Sequence, residues 1–321
     1  MKILITGGAG FIGTNFCHYM LGSHPDYDIV CLDKLTYASS IESLNDIIDN
    51  PHFRFVKGDI CDEKLIDKLF CDERFDMVVN FAAESHVERS IADPSIFVNT
   101  NILGVRVLLD ACRKYTVRFH QISTDEVYGS IPLDDNVTRF DENSTLRPSS
   151  PYSASKASAD MLVMSYYRTY KLPVTISRCS NNYGPYQHPE KLIPLTIRRL
   201  LHGEDLLIHG DGLDMRDWLY VIDHCKAVDT IIHSDIVGEI YNISANNEIS
   251  NINIMKKISS HMNTISSIVH IENRPCHDTK YTLDSSKISY RLGHNIECNF
   301  EETFANTIDW YLSHKSWFEN K

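Results

Sequence analysis

The sequence predicts an α/β protein built on a Rossmann-like, doubly wound parallel sheet, followed by a smaller mixed C-terminal lobe. Apolar strand-like runs alternate with helix-like runs through residues 1–179, which is the rhythm of such a sheet. A glycine-rich turn follows the first strand at once, and polar clusters follow the later strands, at the ends where these sheets bind ligands. We therefore expect a main domain at 1–179 and a second lobe over most of 180–321.

Composition narrows the possible classes of protein. The 321 residues are 43% hydrophobic and carry a formal charge of -12, which fits an ordinary globular protein and disfavours a general nucleic-acid binder. We read no apolar run as long enough to span a membrane, and the first strand begins almost at Met1, which leaves no room for a signal peptide. The nine cysteines show no metal-ligand spacing, so we expect a cytoplasmic protein with reduced cysteines and no metal site.

The turn after the first strand contains Gly7, Gly10 and Gly13 and leads into a helix-like run. Glycines at these positions allow a tight turn and a close approach of the backbone to a pyrophosphate, which then faces the helix N-terminus. The second strand-like run ends at Asp33, twenty positions after Gly13, where a carboxylate can accept both hydroxyls of an adenosine ribose. Because a carboxylate there would repel a 2′-phosphate, the sequence favours NAD over NADP as the cofactor of the first domain.

The later elements continue the alternation up to residue 179 and then break it. Three prolines punctuate the segment after 179, so we interpret it as a smaller lobe whose late strand, near 239–243, returns to the main sheet. The helix-like runs are one that ends at 21, then 41–48, 63–70, 94–115 and 153–170. The strand-like runs are 2–6, 28–32, 53–57, 76–81, 118–122, 174–179, 206–209 and 239–243.

The stretch from 123 to 156 carries the strongest candidates for chemistry. Tyr152 and Lys156 lie one helical turn apart, so their side chains share a face. A nearby ammonium favours the phenolate, which makes this pair a suitable base for a sugar or alcohol hydroxyl. Asp125 and Glu126 follow the strand-like run 118–122 and could handle two further protons. Because adjacent residues on a regular strand point to opposite faces, we expect an irregular turn to bring both carboxyl groups into one site.

Several strings of this sequence resemble a known family. Residues 6–13 (TGGAGFIG) and 152–156 (YSASK) resemble the extended short-chain dehydrogenase/reductases, and 124–129 (TDEVYG) resembles the nucleotide-sugar 4,6-dehydratases, best the dTDP-glucose 4,6-dehydratase branch. The resemblance runs nearly end to end. The same branch is matched by 33–38 (DKLTYA), 82–87 (AAESHV), 180–186 (SNNYGPY), 189–194 (PEKLIP) and 216–221 (RDWLYV).

The resemblance implies a reaction on a nucleotide-diphosphate glucose. In that family NAD+ accepts a hydride from carbon 4 while a tyrosine takes the hydroxyl proton, and Tyr152 with Lys156 matches this role. The 4-ketone then acidifies the proton on carbon 5, which Glu126 would remove while Asp125 protonates the departing 6-hydroxyl. The hydride returns to carbon 6. Thr124 would hydrogen-bond the oxygen on carbon 4, and the two carboxyl groups need pKa values pushed apart.

The resemblance also implies the residues that contact each ligand. We expect Arg216 to clamp the pyrophosphate, because its planar fork matches phosphate oxygens. The cofactor contacts would be Gly7, Gly10, Phe11, Ile12, Gly13, Asp33, Lys34, Leu35, Thr36, Asp59, Ile60, Phe81, Ala82, Ala83, Ser85, Thr100, Tyr152, Lys156 and Asn182. The substrate contacts would be Ser85, Thr124, Asn181, Lys191, Leu192, Leu207, His209, Arg216, Asn247, Arg274 and His277.

Two departures from the family pattern and three rival functions stay open. His209 stands where dTDP-sugar enzymes commonly carry a tyrosine that stacks on the base, and Cys276 stands in place of a glycine. The same reaction on UDP-glucose or another NDP-hexose is therefore an alternative. A UDP-sugar 4-epimerase or decarboxylase would share the Tyr/Lys pair but would not need Asp125 and Glu126. A non-catalytic dinucleotide-binding protein would characteristically lose Tyr152 or Lys156, and both are present.

We also expect a homodimer. The runs 94–115 and 153–170 carry apolar residues on more than one face, more than packing on one side of a sheet needs. In the resembling family these two helices pair with their symmetry mates as a four-helix bundle, an isologous two-fold contact. The apolar residues on which this expectation depends are Val105, Val107, Leu108, Leu109, Met161, Leu162, Val163 and Met164.

Overall fold

The computed structural model describes residues 1–273, 275 and 278–319. Its strands are β1 Lys2–Thr6, β2 Asp28–Asp33, β3 Phe53–Lys57, β4 Met77–Asn80, β5 Arg118–Thr124, β6 Val174–Cys179, β7 Asn181–Tyr183, β8 Leu206–His209, β9 Met215–Tyr220, β10 Glu239–Ile243, β11 Glu248–Ser250 and β12 Ile268–Ile271. Its α-helices are α1 Phe11–Ser23, α2 Glu63–Glu73, α3 Val87–Ala92, α4 Pro94–Val98, α5 Val105–Tyr115, α6 Pro151–Tyr170, α7 Leu192–Leu201, α8 Val221–His233, α9 Asn251–His261, α10 Ser286–Leu292, α11 Phe300–Ser313 and α12 Ser316–Glu319.

A parallel sheet with the strand order β10-β6-β5-β4-β1-β2-β3 forms the centre of the main domain. Side chains of one strand alternate between its two faces. Leu4 packs into the apolar cluster that α2, α5 and α6 contribute to, whereas Ile3 and Ile5 pack into the cluster beneath α1 and α8. Helices therefore cover both faces, and the predicted Rossmann-like, doubly wound fold is confirmed.

The chain returns to this sheet after residue 180. Strand β10 pairs in parallel with β6, from Glu239 opposite Thr175 to Ile243 opposite Cys179, and helix α8 packs against α1. The rest of the C-terminal region forms a sheet of order β11-β9-β7, the β12-β8 pair, and helices α7, α9 and α11 around a shared apolar cluster. Helix α8 and strand β10 therefore pack with the main domain although they follow residue 180 in the chain. The boundary between residues 179 and 180 stays a prediction.

Two predicted helices differ from the structure. The run 41–48 is a short 3-10 helix, Ile41–Leu44, followed by turns. Its buried residues Leu44 and Ile47 are three apart, which suits a three-residue turn and gives a longer α-helix no continuous face to bury. The run 94–115 is helical throughout, but Asn99–Gly104 forms a π-helix between α4 and α5.

This helical stretch also corrects an expectation about membranes. Pro94–Tyr115 is 22 residues long, and an 18-residue stretch within it has a mean hydropathy of 1.3, so by length and composition alone it could cross a membrane. The expectation that no apolar run reaches that length is therefore wrong. Half of its most apolar window is buried inside the chain, and α5 packs between α2 and α6, as the core helix of a globular domain does.

The apolar residues behind the dimer expectation are mostly internal. Val105, Val107, Leu108 and Leu109 are all buried, because α2 and α6 cover α5 on two sides. They therefore cannot form an exposed apolar surface. Met161 is 60% exposed, and three apolar residues of the Pro94–Tyr115 segment, which contacts α6, are exposed as well. These are Ile96 at 47%, Val98 at 46% and Leu103 at 47% exposure.

Candidate active site

A cleft opens at the carboxyl ends of the central strands and continues toward the C-terminal lobe. Its wall includes every predicted catalytic residue and all the predicted cofactor contacts except Leu35. The backbone N–H of Leu35 instead donates to Asp33 Oδ1 over 2.7 Å, beside the cleft. Of the predicted substrate contacts, the wall includes Ser85, Thr124, Asn181 and Lys191.

The glycine turn forms one end of the cleft and leaves no space for side chains. Gly7 has a φ of +70°, and a Cβ there would lie 2.5 Å from the backbone nitrogen of Ala82. A Cβ on Gly13 would lie 2.2 Å from the carbonyl oxygen of Gly7. Within the described residues, no side chain caps the start of α1 at Gly10, so its first-turn N–H groups face the cleft. Such a turn fits an anion held by backbone amides.

Asp33 closes the same end of the cleft with a fixed carboxylate. Its Oδ2 accepts a hydrogen bond from the Ala9 N–H over 3.0 Å, and its Oδ1 accepts from Leu35. Burial raises the pKa of Asp33, and these two backbone N–H groups oppose the rise. Each carboxylate oxygen keeps a second lone pair for a hydroxyl donor, which fits the ribose contact expected there.

A tight turn places Asp125 and Glu126 in the same site. Strand β5 ends at Thr124, and the chain enters a 3-10 helix, Asp125–Tyr128, at once. Thr124 caps this helix, because its Oγ1 accepts from the Glu126 N–H over 3.3 Å and lies 3.2 Å from Asp125 Oδ1, to which it donates. The turn replaces the two-residue period of the strand, and both carboxyl groups line the cleft.

The environment of Asp125 favours its protonated form. Burial raises its pKa well above the ordinary value, and the negative charge of Glu126 raises it further. Its Oδ2 is buried without a hydrogen-bond partner in the part of the chain that the structure describes. A neutral carboxyl group with an uncommitted oxygen can donate a proton to a ligand, which is what a general acid needs.

Helix α6 delivers Tyr152 and Lys156 to the opposite wall. Pro151 stands in its first turn, and the hydroxyls of Ser150 and Ser153 exchange bonds with each other's backbone N–H in a capping box. This cap fixes where the helix starts. Lys156 donates from Nζ to the carbonyl oxygen of Ile122 over 2.6 Å.

The two side chains titrate in a dry environment. Burial lowers the pKa of Lys156 to about 8. Burial also raises the pKa of Tyr152 well above its usual value, the charge of Glu126 adds to this, and a hydrogen bond with Thr124 opposes it. The sequence led us to expect that Lys156 would lower the pKa of Tyr152. In the protein alone, burial and the charge of Glu126 outweigh that effect. The bond between Thr124 and Tyr152 brings the two predicted hydroxyl-binding groups together.

The π-helix supports the same wall from behind. Asn101 donates from Nδ2 to Ser155 Oγ over 2.8 Å and to the Glu84 carbonyl over 3.0 Å, while Ser155 Oγ donates to the Tyr152 carbonyl over 2.6 Å. Glu84 lines the cleft and was not among the predicted site residues. The other lining residues that sequence reasoning missed lie at the ends of strands or in the loops that follow them. They are Leu32, Ala38, Ser39, Gly58, Ile122, Ser123, Cys179, Ser180, Gln187, His188 and Glu190.

Arg216 lies on β9 with its guanidinium group largely buried. Its Nη1 donates to the carbonyls of Met215 over 2.8 Å and Thr279 over 3.2 Å, and its Nη2 donates to the Asp278 carbonyl over 2.8 Å. Among the described residues, these bonds use three of its five N–H groups and leave Nε–H and one Nη2–H for a ligand. Its charge partly opposes the rise in the pKa of Asp125, which places it near that acid.

The remaining substrate predictions lie farther from the cleft. The cleft wall does not include Leu192, Leu207, His209 or Asn247. His209 Nδ1 instead lies 2.8 Å from the Glu272 carbonyl oxygen. The other predictions in this group fall outside the described residues. They are Arg274 and His277, and Cys276, which departs from the family pattern, also lies outside the described residues.

Comparisons with known proteins agree with this geometry. A family model described as GDP-mannose 4,6 dehydratase matches residues 4–307. The chain is 45% identical to a dTDP-glucose 4,6-dehydratase of Escherichia coli, over all of this chain and 95% of that protein. It is similar to the crystal structure of DesIV, a dTDP-glucose 4,6-dehydratase of Streptomyces venezuelae with NAD bound, at a TM-score of 0.94 and 42% identity, covering 99% of this chain and 98% of that one. A dTDP-glucose 4,6-dehydratase of Bacillus anthracis in complex with NAD gives a TM-score of 0.92 at 43% identity, with the same coverage.

Proposed function

The chain belongs to the GDP-mannose 4,6 dehydratase family, and from this premise we propose that it is an NAD-dependent lyase that converts dTDP-glucose to dTDP-4-keto-6-deoxyglucose. One observation carries the proposal: a buried Asp125, whose pKa burial raises well above its ordinary value, stands next to Glu126 in the cleft that also holds Tyr152 and Lys156. A base for carbon 4 is common to many sugar-nucleotide enzymes. A second acid–base pair beside it is needed only when water leaves across carbons 5 and 6.

The glycine turn and Asp33 fit NAD. The Gly7–Gly13 turn admits a pyrophosphate because it has no room for side chains, and the Asp33 carboxylate suits a ribose with two free hydroxyls. When bound, NAD+ would accept the hydride from carbon 4, and the NADH so formed would return that hydride to carbon 6. Ala82 and Ala83 would hold the cofactor between the turn and Tyr152.

Tyr152 removes the proton of the 4-hydroxyl in the first step. Because its pKa is raised in the protein alone, little phenolate forms there, so the reaction depends on a positive charge near the phenolate as it forms. Lys156 supplies one such charge from the next helical turn, and the Ile122 carbonyl holds its ammonium in place. When substrate is bound, Thr124 would turn its one hydroxyl proton from Asp125 Oδ1 to the oxygen on carbon 4 and stabilise the charge that develops there.

Glu126 and Asp125 divide the elimination between them. Once carbon 4 is a ketone, Glu126 accepts the proton from carbon 5, and Asp125 donates its proton to the departing 6-hydroxyl. Burial raises the pKa of Asp125, and the charge of the half-buried Glu126 beside it raises that pKa further, which favours a proton on Asp125. The cap from Thr124 fixes both groups relative to carbon 4.

The C-terminal lobe would hold the nucleotide diphosphate. Arg216 has two N–H groups left for phosphate oxygens, and Asn181 and Lys191 line the cleft. His209 would lie against the base. We further propose that the protein acts as a homodimer in the cytoplasm, with the exposed apolar residues of the Pro94–Tyr115 segment and of α6 forming a four-helix bundle.

Turnover of two nucleotide sugars tests this function. The protein is mixed with dTDP-glucose or with UDP-glucose, and the alkali-induced absorbance of a 4-keto-6-deoxy sugar is followed. We expect product from dTDP-glucose. Product from UDP-glucose alone would mean that the enzyme acts on the uridine nucleotide instead. Galactose epimers without a keto product would indicate a 4-epimerase. A protein that binds NAD and turns over neither sugar would contradict the proposal and leave another NDP-hexose or a binding role as the alternatives.

A further inference from the structure

Far from the cleft, two histidines converge on one carboxylate. The side chains of His24 and His233 both meet Asp229, where helix α1 ends against helix α8. His24 Nε2 lies 3.0 Å from both oxygens of Asp229, and His233 Nδ1 lies 2.8 Å from its Oδ1. One ligand atom from each residue lies within 4.8 Å of the others. From this arrangement we propose that the protein binds a divalent transition-metal ion, Zn²⁺ in the first instance, between α1 and α8.

The ligand types and their spacing suit such an ion. Imidazole nitrogens and a carboxylate oxygen are borderline ligands that zinc accepts, and three protein ligands leave a fourth position for water. Asp229 and His233 are one helical turn apart on α8, so both point to the same side. Ligand atoms about 2.1 Å from one tetrahedral ion lie about 3.4 Å apart. The observed distances would open by about half an ångström, which small side-chain rotations supply.

The outer atoms of these ligands also have partners. Tyr27 Oη lies 2.9 Å from His233 Nε2, and His233 Nδ1 lies 2.8 Å from Asp229 Oδ1 and 2.9 Å from the Asp229 carbonyl oxygen, a contact that a metal ion would replace. Tyr19 donates from its hydroxyl to Asp229 Oδ2 over 2.9 Å, which holds Oδ1 toward the histidines. The ring of His24 stacks on Tyr27 and His233, with centroids 4.7 and 4.8 Å away. Partners of this kind orient metal ligands in known sites.

The ion would stabilise the fold and take no part in the chemistry. Helix α1 has 13 residues and is therefore about 20 Å long, so its last turn is remote from the glycine turn at its other end. Helix α8 begins directly after β9, which carries Arg216. A metal here would tie the cofactor-binding helix to the helix that leads out of the C-terminal lobe. The side chains of His24, Asp229 and His233 are 25%, 15% and 32% exposed, so an ion can reach them from solution.

Metal titration of the full-length protein tests this inference independently of the proposed function. The purified protein is stripped with a chelator, dialysed against Zn²⁺ or Co²⁺, and assayed for bound metal, Co²⁺ absorption and Tm. We expect one ion per chain, a higher Tm, and visible bands typical of low-coordinate Co²⁺. The single variants His24→Asn and His233→Asn should each lose at least about tenfold in affinity. Stripping should leave the turnover rate unchanged at a temperature well below Tm.

A matched control separates the site from adventitious binding. His261→Asn removes a histidine that pairs with a single carboxylate, Asp309, over 2.8 Å. This control variant should bind metal like the unaltered protein. The inference is overturned if the unaltered protein binds no Zn²⁺ at micromolar concentration, or if His24→Asn and His233→Asn bind it as tightly as the control. If a histidine variant fails to fold, the Co²⁺ spectrum and Tm shift of the unaltered protein decide the question.

Discussion

Lys156 donates a hydrogen bond to the backbone carbonyl of Ile122 over 2.6 Å, and this bond joins helix α6 to the strand that ends in the catalytic turn. Ile122 is two residues before Thr124, which caps the turn of Asp125 and Glu126. The bond therefore holds the proposed base for carbon 4 in register with the two carboxyl groups proposed to act on carbons 5 and 6. A change at Lys156 should affect both position and charge.

Tyr152→Phe should abolish most of the oxidation at carbon 4. The ring keeps its packing, but the hydroxyl that removes the proton is lost, so turnover should fall by about two to four orders of magnitude. Tyr166→Phe is the matched control, because it removes another phenol of α6 whose hydroxyl donates to Asp110 over 2.6 Å. Near-normal turnover by Tyr152→Phe would show that another group removes the proton.

The free energy of unfolding should depend on Lys156 at alkaline pH. Burial lowers its pKa from 10.5 to about 8, so between those values the unfolded chain binds more protons than the folded one. Stability from this group therefore rises as pH increases from 8 to 10.5 and is lost as pH falls through 8. Relative to Lys156→Met, the unaltered protein should gain about 3 kcal/mol over that window. Denaturant unfolding at several pH values measures it, and a constant difference would contradict the pKa.

The NAD content should not change during turnover. Because the hydride taken from carbon 4 returns to carbon 6, the protein should purify with NAD bound and show no net NADH during sugar consumption. The absorbance of reduced nicotinamide is followed together with product formation. NADH that accumulates in step with sugar loss would mean that the protein is a simple dehydrogenase.

The surface apolar residues should hold two chains together. Light scattering at micromolar concentration should give a dimer, and Met161→Glu should shift it toward monomer by placing a charge in an apolar contact. Tyr290→Glu is the control, because Tyr290 is also an exposed large side chain, at 90%, but lies on α10 away from these helices. A monomeric unaltered protein would refute the bundle.

The roles of the two carboxyl groups can be separated by isotope exchange. If Glu126 removes the carbon 5 proton, Glu126→Gln should oxidise carbon 4 but stall before that proton exchanges. In Asp125→Asn the carbon 5 proton should still exchange with deuterated water, because Glu126 is intact and only the departure of the 6-hydroxyl is slowed. This contrast assumes a stepwise elimination through an enolate that Thr124 and Tyr152 stabilise.

The measurement is deuterium at carbon 5 in sugar recovered before dehydration. Each variant serves as the isosteric control for the other, since both replace a carboxyl group by an amide. Exchange in neither variant would indicate a concerted elimination. Exchange in Glu126→Gln with none in Asp125→Asn would reverse the two roles.

Local sequence patterns were sufficient for the main sheet and the cofactor turn. Strand periodicity, the spacing of Gly7 to Gly13 and the acid at Asp33 depend on residues close together in the chain, so they can be read without coordinates. The same holds for Tyr152 and Lys156, whose spacing is one turn of a helix that Pro151 begins. These patterns predicted one helix-like run over 94–115 and did not predict the π-helix Asn99–Gly104 inside it.

Contacts between distant parts of the chain were decided only by the tertiary structure. The sequence placed Asp125 and Glu126 side by side, but burial in the fold is what keeps a proton on Asp125. It offered no sign that His24 would meet Asp229, 205 residues later. Such pairs have no periodicity to reveal them, because they depend on how helices pack across a whole domain, and desolvation is a property of that packing rather than of neighbouring residues.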